Sequence, residues 1–302
     1  MKIYLNQPYS FCQLGKRGNQ EDARYPDMDM PEKSQSYYVV CDGVGGCDDG
    51  EMASRAVCNA FGKYLKHTDW SKTFGITDFG KALDDAYSAL YKVAGKHSKD
   101  MATTLTFICF HHAGVLAAHI GDSRIYHIRP GVGILYRSDD HSLVNALVHS
   151  GNLTPDEAEN HPQSNYITRC MGWVKEDEER AQATVLQIAD IESGDYFILC
   201  TDGVLHSTTD DMLEEIVSQD IPDEEKCMKL ATVCKDSSDN NTAYILPVGK
   251  VFREEESASS LEMTNDNETV PLRSQNVVVE VMSQNTLSLK NKVSRFFKKL
   301  FQ

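Results

Sequence analysis

The stretch Tyr37–Val44, "YYVVCDGV", is an apolar, β-branched and aromatic run that stops on Asp-Gly. The same pattern returns as "YFILCTDGV" from Tyr196 to Val204, so two strands end on Asp42-Gly43-Val44 and Asp202-Gly203-Val204. A third run, "GVLAAHIGD" from Gly114, ends on Asp122, and Asp239 in "SSDNNTAYILPV" stands just before a fourth. Four carboxylates at strand ends can converge on one rim of a layered sheet, where rigid strands hold a side chain better than loops do. Around Asp42 the crowding is extreme, with four acids and four glycines between Cys41 and Glu51. Two carboxylates ~4 Å apart repel by ~4 kcal/mol at an effective dielectric of ~20, so such a loop wants either full hydration or a cation. A plain solvated turn is the simpler alternative, since Asp-Gly is common turn chemistry.

Further strand patterns lie at "TLTFICF" from Thr104, "RIYHIR" from Arg124 and "GILYR" from Gly133, beside the Gly114 and Thr242 runs. The connections His111–Gly114 and Pro130–Gly133 are short enough for hairpins, so the middle of the sheet is expected to be antiparallel. Helical periodicity covers Glu51–Lys66, Asp78–Lys96, Ser142–Ser150, Thr154–Asn160, Asp210–Ser218 and Asp223–Lys235. Strands cluster and helices flank them, which predicts an α+β fold with helices packed on antiparallel sheets.

Composition narrows the function. A net charge of −15 argues against a body that tracks a phosphate backbone, so nucleic acid is not an expected partner. Nine cysteines, an odd number without a C-x-x-C pair or a signal-peptide pattern, fit a reducing, cytoplasmic setting and no structural zinc site. Cys41, Cys109 and Cys200 sit in apolar runs as small hydrophobes. No apolar run reaches the ~18 residues of a membrane span.

Three regions are expected: a folded main domain over 1–250, a disordered acidic linker over 251–285, and a basic amphipathic helix over 286–302. Within the linker "VVVEVM" from Val277 is the exception, a short strand that would dock on a sheet edge or a partner. The last 17 residues carry five positive charges and no acid. As a helix they set Leu289, Val293, Phe296, Phe297, Leu300 and Phe301 against Lys292, Arg295, Lys298 and Lys299. That face suits an anionic membrane surface, making the chain peripheral there, or an acidic partner groove; packing on the chain's own acidic domain is the alternative.

A fifth acidic cluster, "KRGNQED", adds Glu21 and Asp22 after Arg17. An all-oxygen donor set suits a hard cation such as Mg²⁺ or Mn²⁺. The order Arg17-x-x-x-Glu21-Asp22, Asp42-Gly43-x-Gly45-Gly46, "ATTLTF", "GDSR", "DDHSLVNALVHSG", "HPQSNYITRCMG", "LCTDGV" and Asp239-Asn240-x-Thr242 resembles the metal-dependent type 2C protein serine/threonine phosphatases, above all their compact bacterial members. The match spans residues 10 to 248.

The resemblance implies a four-layer sandwich, two antiparallel sheets flanked by helices on both outer faces, with a dinuclear Mn²⁺ or Mg²⁺ site on one rim. It implies that Asp42 bridges both ions, that Gly43 offers its carbonyl, that Asp202 and Asp239 hold one ion, and that Glu21 and Asp22 support the other. Asp122 with Asp202 would form a third, weaker site, and Arg17 would grip the substrate phosphate through its guanidinium fork. The implied reaction is hydrolysis of phosphoserine and phosphothreonine by a metal-bridging hydroxide without a phosphoenzyme, on phosphoproteins that include a cytoplasmic kinase or its substrates. A non-catalytic phosphoprotein-binding regulator is the rival reading. Two departures from the family pattern leave the general acid open: Val44 stands where many members place a histidine, and Cys47 where bacterial relatives often do. His141, His161 and His206 are the candidates, and a metal-bound water could do the same work. The segment Asn145–Gly172 resembles the family's flap over the site.

Overall fold

The computed structural model describes residues 1–44, 49–97, 100–159, 161–174, 179–253 and 277–280. Two antiparallel sheets face each other. One contains β1 (Lys2–Leu5), β2 (Tyr9–Gln13), β8 (Arg124–Arg129), β9 (Gly133–Arg137), β12 (Tyr196–Cys200) and the long β13 (Asn241–Phe252). Its order is β1-β13-β12-β8-β9, with β2 also paired to β13. The other contains β3 (Ala23–Tyr25), β4 (Tyr37–Cys41), β6 (Leu105–His111), β7 (Gly114–Ile120), β11 (Thr184–Ile188) and β14 (Val277–Glu280), in the order β14-β11-β7-β6-β4-β3. A small ladder joins β5 (Ala102–Thr103) to β10 (Met171–Gly172).

Alternation along the strands builds the layers, because successive side chains leave opposite faces of a sheet. In β4, Tyr38 and Val40 point between the sheets, where they join Ile108, Phe110, Phe197, Leu199, Tyr244 and Leu246. Tyr37, Val39 and Cys41 point outward under α1 (Gly50–Leu65) and α2 (Ile76–Ala94). Phe107 of β6 stacks on Phe61 of α1 at a ring separation of 5.3 Å and packs tilted against Phe79 of α2 at 5.4 Å. Each such ring contributes ~1.5–3 kcal/mol by leaving water, which pins both helices to the sheet. On the far side, Tyr196, Ile198 and Cys200 of β12 pack beneath α6 (Asp210–Ser218) and α7 (Asp223–Cys234). The expected helix–sheet–sheet–helix sandwich is therefore the observed one.

Three shorter helices complete the fold: α3 (Leu143–His149) and α4 (Pro155–Glu159) in the expected flap, and the single turn α5 (Asp202–Leu205). Strand β14 lies inside the stretch expected as linker and pairs with the sheet edge at β11, Val277 opposite Gln187 and Glu280 opposite Thr184. The rest of that stretch beyond Arg253, and the expected helix over 286–302, lie outside the described residues. No helix among the described residues is long and apolar enough to cross a membrane.

Candidate metal centre

Strand register alone fixes where the acids meet. Ala23 pairs with Cys41 and Leu105 with Ile120, so Glu21, Asp22, Asp42 and Asp122 leave one sheet at the same rim. Cys200 pairs with both Ala243 and Arg124, which brings Asp202 and Asp239 to the same rim of the facing sheet. The six sequence-predicted carboxylates thus gather from five separate chain segments.

Their electrostatics report the crowding. Removal from water, then the carboxylates of Asp22, Asp202 and Asp122, push the Asp42 carboxyl well above its usual range. Burial and the neighbouring Asp202 and Asp239 raise Asp22 to about 7, and burial with Asp202 and Asp140 raises Asp122 to about 7. Burial also raises Asp202 and Glu21.

A scaffold of polar residues, most of them inside the quoted motifs but given no role there, holds these groups in place. Thr201 donates to Asp22 Oδ2 at 3.0 Å, and the Asn240 side chain accepts the Glu21 N–H at 2.8 Å. Thr104 Oγ1 accepts the Asp42 N–H at 3.0 Å and lies 2.8 Å from Ser123 Oγ, while Ser54 donates to the Glu21 carbonyl. Hydroxyls beside strand ends carry little signal in a sequence, and only the topology shows that they meet. Two glycines are required by close approach. A Cβ on Gly43 would stand 2.6 Å from the Gly50 carbonyl carbon, and one on Gly203 would stand 1.9 Å from the Asn240 carbonyl oxygen.

Arg17 is half exposed at the lip and donates through Nη2 to Asp239 at 2.5 Å. Of the histidines considered as acid, His141 uses both ring nitrogens internally. Nδ1 accepts the Gly121 N–H at 3.1 Å, Nε2 meets Thr184 Oγ1 at 2.9 Å, and the ring stacks on His119. Burial, with His119 and Arg169 beside it, drives its pKa down to about 2. His141 is thus a neutral structural group. His161 accepts the Gln163 N–H within the flap. His206 alone of the three sits among the carboxylates, Nε2 lying 3.8 Å from Asp202 Oδ2. Val44 fills the position after Gly43, and Cys47 lies outside the described residues. Burial lifts the thiols of Cys58, Cys109, Cys227 and Cys234, which makes them packing groups and poor nucleophiles.

The rim suits divalent cations on its own chemistry. Asp22 Oδ1 and Asp202 Oδ1 are buried and, among the described residues, have no hydrogen-bond partner. Unpaired buried carboxylate oxygens are costly unless a cation meets them. Asp42, Asp202 and Asp239 would hold one ion and Asp42, Glu21 and Asp22 would support a second.

A layered sandwich with such a rim defines a hydrolase-type centre that works through divalent metal. The protein phosphatase 2C family model matches residues 21–234. Protein phosphatase PhpP of Streptococcus pneumoniae is 30% identical over 239 residues, covering 78% of this chain and 94% of the relative. The crystal structure of the Mycobacterium tuberculosis serine/threonine phosphatase PstP/Ppp superposes with a TM-score of 0.68 at 27% identity, covering 82% of this chain and 100% of that one. Stp1 from Staphylococcus aureus gives 0.69 at 27% identity, covering 82% and 97%. A PstP catalytic-domain structure that contains 2 manganese ions gives 0.66 at 25% identity, covering 82% and 100%. The chain belongs to the protein phosphatase 2C family, and is a divalent-metal-dependent phosphatase of the bacterial type.

Proposed function

We propose that the chain hydrolyses phosphoserine and phosphothreonine in proteins by direct attack of hydroxide on phosphorus, with no phosphoenzyme, and so opposes a kinase. The observation that supports this most is the convergence of Glu21, Asp22, Asp42, Asp122, Asp202 and Asp239 on one rim with unpaired buried oxygens. A pair of divalent ions bound there would lower the pKa of a shared water and neutralise phosphoryl oxygens.

The chain's own residues supply the rest. Asp42, fixed at the end of β4 by Thr104, would reach both ions; Thr201 orients Asp22, and Asn240 ties the Glu21 backbone to the facing sheet. Arg17, exposed at the lip, would take two phosphate oxygens with its planar fork. Asp122 beside Asp202 would complete a third, weaker site. The flap is tied down by Thr168 N–H to the His141 carbonyl and by β10 on β5, and its exposed Tyr166 would meet the phosphopeptide. A purely phosphoprotein-binding regulator would tolerate loss of a ligand position, whereas every expected carboxylate is present. Segment 286–302 would attach the enzyme to an acidic partner or anionic membrane surface in the cytoplasm, which vesicle binding at low and high salt tests.

Hydrolysis of p-nitrophenyl phosphate and of a phosphothreonine peptide is the test of the reaction, with Mn²⁺, with EDTA, and in Asp42→Asn and Asp202→Asn. Activity that survives EDTA, or that both substitutions leave intact, would refute this mechanism.

A further inference from the structure

We propose that His206 is itself a metal ligand, adding an imidazole nitrogen to the ion held by Asp202 and Asp239 and biasing that site toward Mn²⁺ or a later transition ion over Mg²⁺. The proposal rests on the dinuclear reading above. Asp202 opens α5 and His206 closes it, with the His206 N–H donating to the Asp202 carbonyl at 2.9 Å. Residues four apart on a helical turn share a face, so the two side chains look the same way. Asp239 arrives from the start of β13, and one donor atom from each of Asp202, His206 and Asp239 lies within 4.8 Å of the others.

The Nε2–Oδ2 separation of 3.8 Å is too long for a hydrogen bond. It falls between the ~3 Å and ~4.2 Å that separate neighbouring and opposite donors at ~2.1 Å from one ion. Among the described residues the imidazole takes no hydrogen bond, 34% of the side chain is open to solvent, and Asp202 Oδ1 is buried without a partner. An open nitrogen donor, the Asp202 carboxylate with one oxygen buried and unpaired, and a second carboxylate therefore lie together at the lip. The turn that carries His206 is held by Thr208 Oγ1 to the Val204 carbonyl at 2.8 Å and by Ser237 Oγ to the Gly203 carbonyl at 2.7 Å, so the donor is pre-positioned. Magnesium favours oxygen donors and sheds water reluctantly, whereas an imidazole strengthens binding of first-row transition ions.

Pulsed electron paramagnetic resonance of Mn²⁺ bound to the full chain is the direct test, with ¹⁵N-histidine labelling to assign the coupling. A directly bound histidine nitrogen is expected in the wild type and absent in His206→Gln. By calorimetry that substitution should weaken Mn²⁺ by about tenfold or more and Mg²⁺ by less than about threefold. A wild-type spectrum with bound Mn²⁺ but no histidine nitrogen overturns the proposal and leaves the dinuclear reading standing, as does an unchanged Mn²⁺ to Mg²⁺ affinity ratio in the variant. No Mn²⁺ binding by the wild type would overturn both.

Discussion

Replacing Asp22 by Asn should make the metal-free enzyme more stable and the metal-loaded enzyme less so. Asp22 is 3% exposed, and burial with Asp202 and Asp239 nearby holds its pKa at about 7 against an ordinary 3.8. An acid whose folded pKa lies above its unfolded one keeps a proton that the unfolded chain gives up, so stability falls as pH rises from about 4 to about 7 and then levels. At about 1.4 kcal/mol per pH unit the displacement sets a ceiling of roughly 4 kcal/mol above pH 7. Water entry and sharing of the proton with Asp42 and Asp202 reduce it, and roughly 2 kcal/mol is the working expectation. An amide can still accept from Thr201 and carries no charge to desolvate. In EDTA at pH 8 the variant's Tm should rise by about 4–8 °C, since 1 kcal/mol moves a domain of this size by about 2–4 °C. The gap should narrow at pH 5, where the wild-type carboxyl is largely protonated. Saturating Mn²⁺ should reverse the order, because binding to the folded state stabilises the wild type more. Scanning calorimetry in the three conditions decides. A variant less stable than wild type in EDTA at pH 8, or a gap that ignores pH, would show that the rim is not strained by its own charge.

Substitutions at three other positions probe the surroundings. Asp195 is fully buried and bonds His127 at 2.8 Å and Arg129 at 2.7 Å, partners that outweigh the burial cost and hold its pKa at about 2. Asp195→Ala should cost about 3–5 kcal/mol in urea unfolding, a loss present above pH 4 that fades as the pH approaches 2. Gly203→Ala forces a Cβ against the Asn240 carbonyl and should cost about 1–3 kcal/mol while weakening Mn²⁺ in calorimetry, because Asp202 and the Asn240 strand start move together. Arg17→Ala should raise KM for a phosphothreonine peptide by about tenfold, with Arg17→Lys recovering only part of it, since an ammonium lacks the fork.

The hydrophobic patterns made the layers legible. The Gly114, Arg124 and Gly133 runs became β7, β8 and β9 with the expected bounds, and the Asp210 helix likewise. Strand β11 left no comparable mark, because Gln187 breaks its apolar run; in the fold that amide meets His111 at 2.8 Å, so the polar residue is an internal contact. β1 and β2 are edge and partner strands of β13 whose order depends on pairing more than on their own composition. The turn α5 is four residues long, below what periodicity can show, yet it carries Asp202 and leads into His206. The carboxylates could be picked out because strand ends and Asp-Gly turns mark them, whereas Thr201, Thr104 and Asn240 lie in the same motifs but show what they orient only when the topology brings them together.

The division of the donors between sheets gives the centre a mechanical consequence. Glu21, Asp22, Asp42 and Asp122 hang from the sheet built on β4, β6 and β7, while Asp202, Asp239 and His206 hang from the sheet built on β12 and β13. Between them lie apolar packing, Tyr38 against Tyr244 and Phe110 against Phe197, and at the rim two hydrogen bonds, Thr201 to Asp22 Oδ2 and the Glu21 N–H to the Asn240 side chain. Like charges on the two lips push them apart, and an ion shared by Asp42 and Asp202 would pull them together, which would couple occupancy of the proposed site to closure of the sandwich at that edge. Amide exchange at Thr201 and Thr242, whose bonds join β12 to β13 at the lip, should therefore slow on metal binding, while exchange at the far ends of the same strands stays unchanged. Uniform slowing along both strands would instead mean that metal stabilises the domain as a whole, and the lip would have no mechanical role of its own.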